Sequence, residues 1–189
     1  MTKSSVNDWV LDAAKVRGIG VQAEIVRDGE FFLAGGTALG LRLGHRKSQD
    51  LDWFTARQFD VDRLRKDLES LSEKPSKIEQ NGPQTLRAYY GDLETSFIRY
   101  QEVTGNPERL KVAGTEIPVA DMELIAAMKA AAVRDRGFAR DFMDIHAISA
   151  QPEWSVGRFI EHGSNKLSLE PPPGGGQGKG TFPEIALRA

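Results

Sequence analysis

Cysteine is absent from this chain of 189 residues. That excludes disulfides and thiolate metal sites and leaves oxygen-donor metals as the natural option. Histidines number three, and no pair of them has zinc-ligand spacing with a third partner. No apolar run approaches the roughly 20 residues needed to span a bilayer. Residues 1–10, MTKSSVNDWV, lack the apolar core of a signal peptide, so a cytoplasmic protein with no membrane partner is expected. The net charge of −2 carries no global electrostatic footprint for nucleic acid, and there is no aromatic stacking platform of the kind single-strand binders use. There is no internal repeat. What is present is ordinary for a soluble globular chain: 40% apolar and 28% charged residues.

Periodicity and turn signals give an element order. Residues 5–28 read as one helix with Trp9, Val10, Ala13, Val16, Val21 and Ile25 on its apolar side, weakened near Gly18 and Gly20. Asp28-Gly29 is a turn into a strand at 31–33. Thr37 to Leu43 is a short helix stopped by Gly44, and 50–54 is a second strand. Phe59 to Leu71 has apolar residues at 61, 64, 68 and 71, with Asp60 as N-cap. Strands follow at 77–80, 84–90 and 92–100, joined by Asn81-Gly82-Pro83 and Gly91-Asp92 turns. One further extended segment runs over 111–119. Asp121 caps a long Ala-rich helix that Gly137 ends. A helix over 138–150 should bury Phe138, Phe142, Ile145 and Ile148, and a last amphipathic piece covers 156–162. The Pro/Gly-rich stretch 171–180 cannot form a packed element. The expected architecture is α/β (α+β): a small mixed sheet flanked by helices, with a helical C-terminal half. One domain over 1–165 is expected, its core at about 25–120 and its helical part at 121–165, followed by a disordered tail over 166–189.

The densest chemistry lies in 31–54, FFLAGGTALGLRLGHRKSQDLDWF. A hydrophobic strand runs into Gly35-Gly36-Thr37, whose small residues let a phosphate approach the backbone, and the helix start behind them favours negative charge. Asp50 and Asp52, at i and i+2 of a strand, point to one face, about 7 Å apart along it. That pair suits a divalent cation that arrives with substrate phosphates. Arg42, His45, Arg46 and Lys47 form a basic patch beside it. Taken singly, Gly-Gly is a turn and Asp-x-Asp an exposed strand edge; the order of the parts carries the functional reading.

This segment resembles the nucleotidyltransferase AbiEii/AbiGii toxin family, with its Gly-Gly-Thr helix start and its Arg-x-Ser-x-Asp-x-Asp segment, here Arg46-Lys47-Ser48-Gln49-Asp50-Leu51-Asp52. A second stretch resembles the family's later motif, in which an Ala-rich helix carries Met128-Lys129, followed by Arg136, Arg140-Asp141-Phe142 and Asp144. Lys129 and Arg136, seven apart, share one helix face. The bland alternatives are a solvated lysine, an Arg140–Asp144 surface pair and a first-turn Asp141 favoured by the helix dipole.

The resemblance, which covers roughly residues 25–150, implies a minimal nucleotidyltransferase fold and transfer of a nucleoside monophosphate from a nucleoside triphosphate. It implies the toxin of a toxin–antitoxin or phage-defence pair, with a cognate antitoxin and transfer RNA as acceptor. In that reading Gly35, Gly36 and Thr37 cradle phosphate, and Asp50 and Asp52 hold Mg²⁺. Arg46 and Ser48 contact phosphate oxygens, and Lys129 binds the β- or γ-phosphate. Asp144, and after it Asp141, orient Lys129 or a water near the acceptor, and Arg136 is a further candidate site residue. Two other readings stay open: a non-catalytic nucleotide- or partner-binding module, and transfer to a small molecule of the aminoglycoside kind. One departure is expected. Polymerase-type transferases use a third carboxylate on the neighbouring strand, and here Ser96 stands at that place in Leu93-Glu94-Thr95-Ser96-Phe97-Ile98. A site with one Mg²⁺ is therefore expected, with acceptor activation falling to the Asp144 region or to the substrate itself.

Overall fold

The computed structural model describes residues 6–27, 31–101 and 107–154. The Asp28-Gly29 turn, the piece at 156–162 and the tail lie outside the described residues. After a short 3-10 helix, Asp8–Val10, the order is α1 (Ala13–Arg27), β1 (Phe32–Ala34), α2 (Gly35–Leu43), β2 (Leu51–Thr55) and α3 (Val61–Ser70). Then come β3 (Lys77–Gly82), β4 (Thr85–Tyr90), β5 (Leu93–Arg99), β6 (Glu108–Val112), β7 (Thr115–Val119), α4 (Met122–Asp135) and α5 (Ala139–Ser149). The strands form one sheet in the order β3-β4-β5-β2-β1-β7-β6, with β1–β7 and β2–β5 parallel and the other pairs antiparallel. The mixed α/β architecture is the expected one. Among the described residues no helix is long and apolar enough to cross a membrane.

Strand alternation sorts the two faces. Leu51, Trp53 and Thr55 are buried on the side covered by α1, where the indole of Trp53 donates to Gln22 at 2.6 Å. Thr95 of β5 also donates to Gln22. Asp52 and Phe54 face the other side, under α4. The expected helix caps also hold: Asp60 caps α3 by accepting from Asp62 N and Arg63 N, and Asp121 caps α4 by accepting from Leu124 N. Gly44 and Gly137 end α2 and α4 with φ of +64° and +58°.

Three expectations fail for physical reasons. The first helix, expected over 5–28 and weakened near Gly18 and Gly20, starts later, at Ala13, and runs through both glycines. Gly18 is where it touches the sheet: a Cβ there would lie 2.7 Å from Leu93 Cδ2. Its inner face is Ile19, Gln22, Ala23 and Val26, while Trp9 and Val16 are exposed. The single segment at 111–119 is a hairpin, because Ala113 and Gly114 both take positive φ and fold β6 onto β7. Finally, α5 does not bury its phenylalanines: Phe138 and Phe142 are exposed, and the inward face is Asp141, Asp144 and Ile148.

Candidate active site

Between the sheet and α4 lies a cleft of about 630 Å³. Its floor comes from Asp52 and Phe54 of β2, Glu94, Ser96 and Ile98 of β5, and Arg87 of β4. Its roof is the Ile125, Met128, Lys129 and Ala132 side of α4, and its wall is the start of α2 with the loop 46–50. Gly35, Gly36, Arg46, Ser48, Asp50, Asp52, Lys129 and Arg136, far apart in sequence, thus line one cavity.

The glycines make room first for the protein's own side chains. Gly35 has φ +68°, and a Cβ on it would lie 2.7 Å from Asp52 Oδ2. A Cβ on Gly36 would meet Ser48 Oγ at 2.7 Å and Arg46 Nη2 at 3.0 Å. Thr37 does not line the cleft: it is buried, and its hydroxyl donates to the Asp50 carbonyl at 2.5 Å. It fixes the loop to α2 and stands behind the cradle instead of in it.

Asp50 and Asp52 reach the cleft with no ion-pair partner among the described residues. Burial, and then the neighbouring Asp50 charge, push the Asp52 carboxyl up to about 6. Two like charges held together at one end of a polar cleft are what a hard divalent cation neutralises. No group of three or more His, Cys, Asp or Glu side chains is arranged to hold a metal among the described residues. The donor set therefore fits a cation that keeps waters and takes its other ligands from phosphate.

Opposite this pair sits a buried ion cluster. Asp144 is fully buried and accepts from both arms of Arg46, each at 2.7 Å, and lies 2.6 Å from Lys129 Nζ. His45 Nε2 lies 2.8 Å from the same carboxylate. Burial works to raise the Asp144 carboxyl, but the bonds from His45, Arg46 and Lys129 outweigh it and hold it far below the usual range. Asp141, also buried, takes both arms of Arg136 at 2.9 Å and lies 3.6 Å from Lys129 Nζ. Arg136 foremost holds its carboxyl below the usual value. Two guanidiniums and an ammonium thus share two carboxylates, an excess of positive charge on the side facing the cleft.

This geometry redistributes several expected roles. Arg46 spends its fork on Asp144, so its part is to anchor the loop carrying Ser48 and Asp50. Asp144 does not line the cleft and is surrounded by donors, which makes it a holder of Lys129 and a poor proton acceptor. Arg140 does not pair with Asp144; its guanidinium lies 5.4 Å from the Phe138 ring centroid. The basic patch disperses: Arg42 turns away to the Ala120 carbonyl and Glu108, His45 and Arg46 go to Asp144, and Lys47 remains at the cleft. Arg87 was missed by the sequence reading. The Gly91-Asp92 turn pairs Tyr90 with Leu93, and counting back places Arg87 beside Ser96.

Residues 24–161 match the model of the family described as "Nucleotidyl transferase AbiEii toxin, Type IV TA system". The chain belongs to that family. An uncharacterised protein of Aquifex aeolicus (strain VF5), aq_aa25, is 34% identical over 130 residues, 67% of this chain and 61% of that protein. The chain therefore spans less than two thirds of that relative's length. Among solved structures, ANT(2'')-Ia in complex with adenylyl-2''-tobramycin superposes with a TM-score of 0.58 at 17% identity, over 82% of this chain and 98% of that one. MenT4, a nucleotidyltransferase toxin of Mycobacterium tuberculosis H37Rv, gives 0.53 at 19% identity, over 79% of this chain and 61% of that one. The family match and these structures agree on a nucleotidyltransferase-like fold.

Proposed function

We propose that this chain transfers a nucleoside monophosphate from a nucleoside triphosphate to a hydroxyl of an RNA acceptor, transfer RNA being the reading its toxin family favours, and that a cognate antitoxin restrains it. The observation that carries this is the opposition of charge across one cleft: Asp50 and Asp52 on one side, and the Lys129-centred cluster on the other. A triphosphate bridges such a cleft, one end toward a divalent cation and the other toward fixed donors.

Asp50 and Asp52 would hold Mg²⁺, which supplies Lewis-acid neutralisation of the phosphate oxygens. Gly35 and Gly36 offer backbone N–H groups at the α2 N-terminus to the phosphates. Lys129, kept in place by Asp144 and Asp141, faces the leaving group. In the transfer, the acceptor oxygen bonds to the α-phosphorus and the bond from that phosphorus to the bridging oxygen breaks. Pyrophosphate departs with the electron pair, and the hydroxyl proton passes to water of the open cleft. Lys47 and Arg140, exposed at the cleft without a carboxylate partner among the described residues, favour a polyanionic acceptor. The resemblance to ANT(2'')-Ia keeps a small-molecule acceptor as the comparison arm.

The test is incubation with Mg²⁺ and each α-³²P-labelled nucleoside triphosphate, once with total RNA and once with aminoglycosides. Label should enter RNA and disappear in Asp50→Ala and Asp52→Ala variants that remain folded. Label on the small molecule alone would replace the acceptor. Transfer undiminished in both variants, or no transfer to either acceptor, would refute the assignment.

A further inference from the structure

We propose that the guanidinium of Arg87 serves as the second cation of this cleft, binding the α-phosphate of the nucleotide where a third carboxylate would otherwise recruit a second metal. The inference rests on the nucleotidyl-transfer reading and concerns how its charge is balanced.

The sheet register places the residues. Asp52 of β2 pairs with Ser96 of β5, and Ser96 pairs with Arg87 of β4. Partners in register share a sheet face, so the three side chains form one row across the cleft floor, and all three line the cleft. Neighbouring strands are about 4.8 Å apart, so the Arg87 backbone stands roughly 10 Å from that of Asp52, on the far side of a small serine. A phosphate held at Asp52 would have the long arm of Arg87 on its other flank and Lys129 above it.

The state of Arg87 supports this use. Its Nε is buried from solvent yet has no hydrogen-bond acceptor among the described residues. The nearest carboxylate, Glu94, lies 3.3 Å away in a geometry that makes an ion pair but no hydrogen bond, with both side chains partly exposed. Such a pair stabilises little and is easily exchanged. Glu79, the register partner of Arg87 on β3, is already engaged by Lys77 and by the Tyr89 hydroxyl. The arginine therefore brings to the floor an Nε that makes no hydrogen bond and is held only by a 3.3 Å ion pair with Glu94, while its side chain also meets Tyr89. A guanidinium keeps its proton and offers a planar fork that matches phosphate oxygens, so it contributes charge and orientation and takes no proton. Ser96, a neutral hydroxyl between Asp52 and Arg87, leaves the middle of the row without the carboxylate a second metal would need.

The experiment counts cations and reads the rate separately. Mn²⁺ binding would be followed by electron paramagnetic resonance with an α,β-methylene nucleoside triphosphate present. Wild type should bind one Mn²⁺ per chain, and the double variant Arg87→Met/Ser96→Asp should bind two. With the Mg–nucleotide concentration fixed, the wild-type rate should not follow free Mg²⁺, whereas that of the double variant should rise with it. Arg87→Met alone should lower kcat by about 100-fold with KM for the nucleotide changed by less than about threefold, and Arg87→Lys should recover part of the loss. Two Mn²⁺ on the wild type, a wild-type rate that follows free Mg²⁺, or an unchanged kcat in Arg87→Met would each overturn the proposal. If the wild type transfers nothing, the transfer reading fails, and the Mn²⁺ count still decides the place of the second cation.

Discussion

Asp52 is held where its charge is costly, and the cost has a sign that can be measured. Its carboxyl is raised from 3.8 to about 6, by burial first and by Asp50 second. A raised acid binds its proton more tightly when folded, so between these values the folded state holds more protons than the unfolded one. Stability from this group is therefore greatest at low pH and declines as pH rises from about 4 to 6, by an amount on the order of 3 kcal/mol. Urea midpoints measured with and without Asp52→Asn should differ most above pH 6, the variant being the more stable. Mg²⁺ should narrow the gap if the carboxylate pair receives it. A variant that is no more stable than wild type at pH 7 would show that the Asp52 charge is not strained. Lys129 offers a second check at this scale. Its ammonium faces the cleft from between Asp141 and Asp144, at 3.6 and 2.6 Å. Lys129→Met should weaken nucleoside triphosphate binding about tenfold or more while leaving monophosphate binding nearly unchanged, by calorimetric titration. Equal small losses for both ligands would confine Lys129 to its ion cluster.

At the scale of elements, α5 is the piece whose inner face holds two carboxylates. Asp144→Asn would leave Arg46, His45 and Lys129 around a neutral amide, and breaking a buried pair in this way costs roughly 3–5 kcal/mol. The expected outcome is a lower unfolding midpoint and loss of transfer, whereas Glu94→Gln, at the partly exposed end of its pair with Arg87, should keep most of both. Equal effects from the two changes would deny Asp144 its place as anchor. The same helix shows what the sequence made legible and what it did not. Strands were readable because alternation in Leu93 to Ile98 and the Gly91-Asp92 turn are local signals. The site motifs were readable because Gly35, Asp50, Asp52 and Lys129 occur in a fixed order. The face of α5 was not, since a hydrophobic period assumes that the apolar stripe turns inward. Here Phe138 and Phe142 lie outside because the cations of α4 and of the 45–46 loop reward burial of Asp141 and Asp144 instead. The β6–β7 hairpin was hidden for a different reason: its turn needs positive φ at Ala113 as well as at Gly114, and alanine gives no warning of that.

For the whole molecule, the balance of charge argues about how an acceptor is met. The chain carries 27 acidic and 25 basic residues, so at long range it does not attract a polyanion. Attraction must come from the cleft rim, and most cations near the cleft are already spent: Arg46 on Asp144, Arg136 on Asp141, and Arg42 on Glu108. Lys47 and Arg140 remain, the latter stacked with Arg136 against the exposed Phe138 ring. Few phosphate contacts mean a shallow salt dependence. The logarithm of acceptor affinity against the logarithm of salt should fall with a slope of about −2, far from the steep values of proteins that wrap nucleic acid. Reversing both charges, Lys47→Glu with Arg140→Glu, should raise KM for an RNA acceptor by about tenfold or more and flatten that slope. KM for the nucleoside triphosphate should stay nearly constant, since neither residue belongs to the Lys129 cluster or to the carboxylate pair. Steady-state kinetics at several salt concentrations, with nucleotide and acceptor varied in turn, reads both constants. A loss confined to the nucleotide would move Lys47 and Arg140 into the triphosphate site, and no loss in either would leave the rim without a part in acceptor binding.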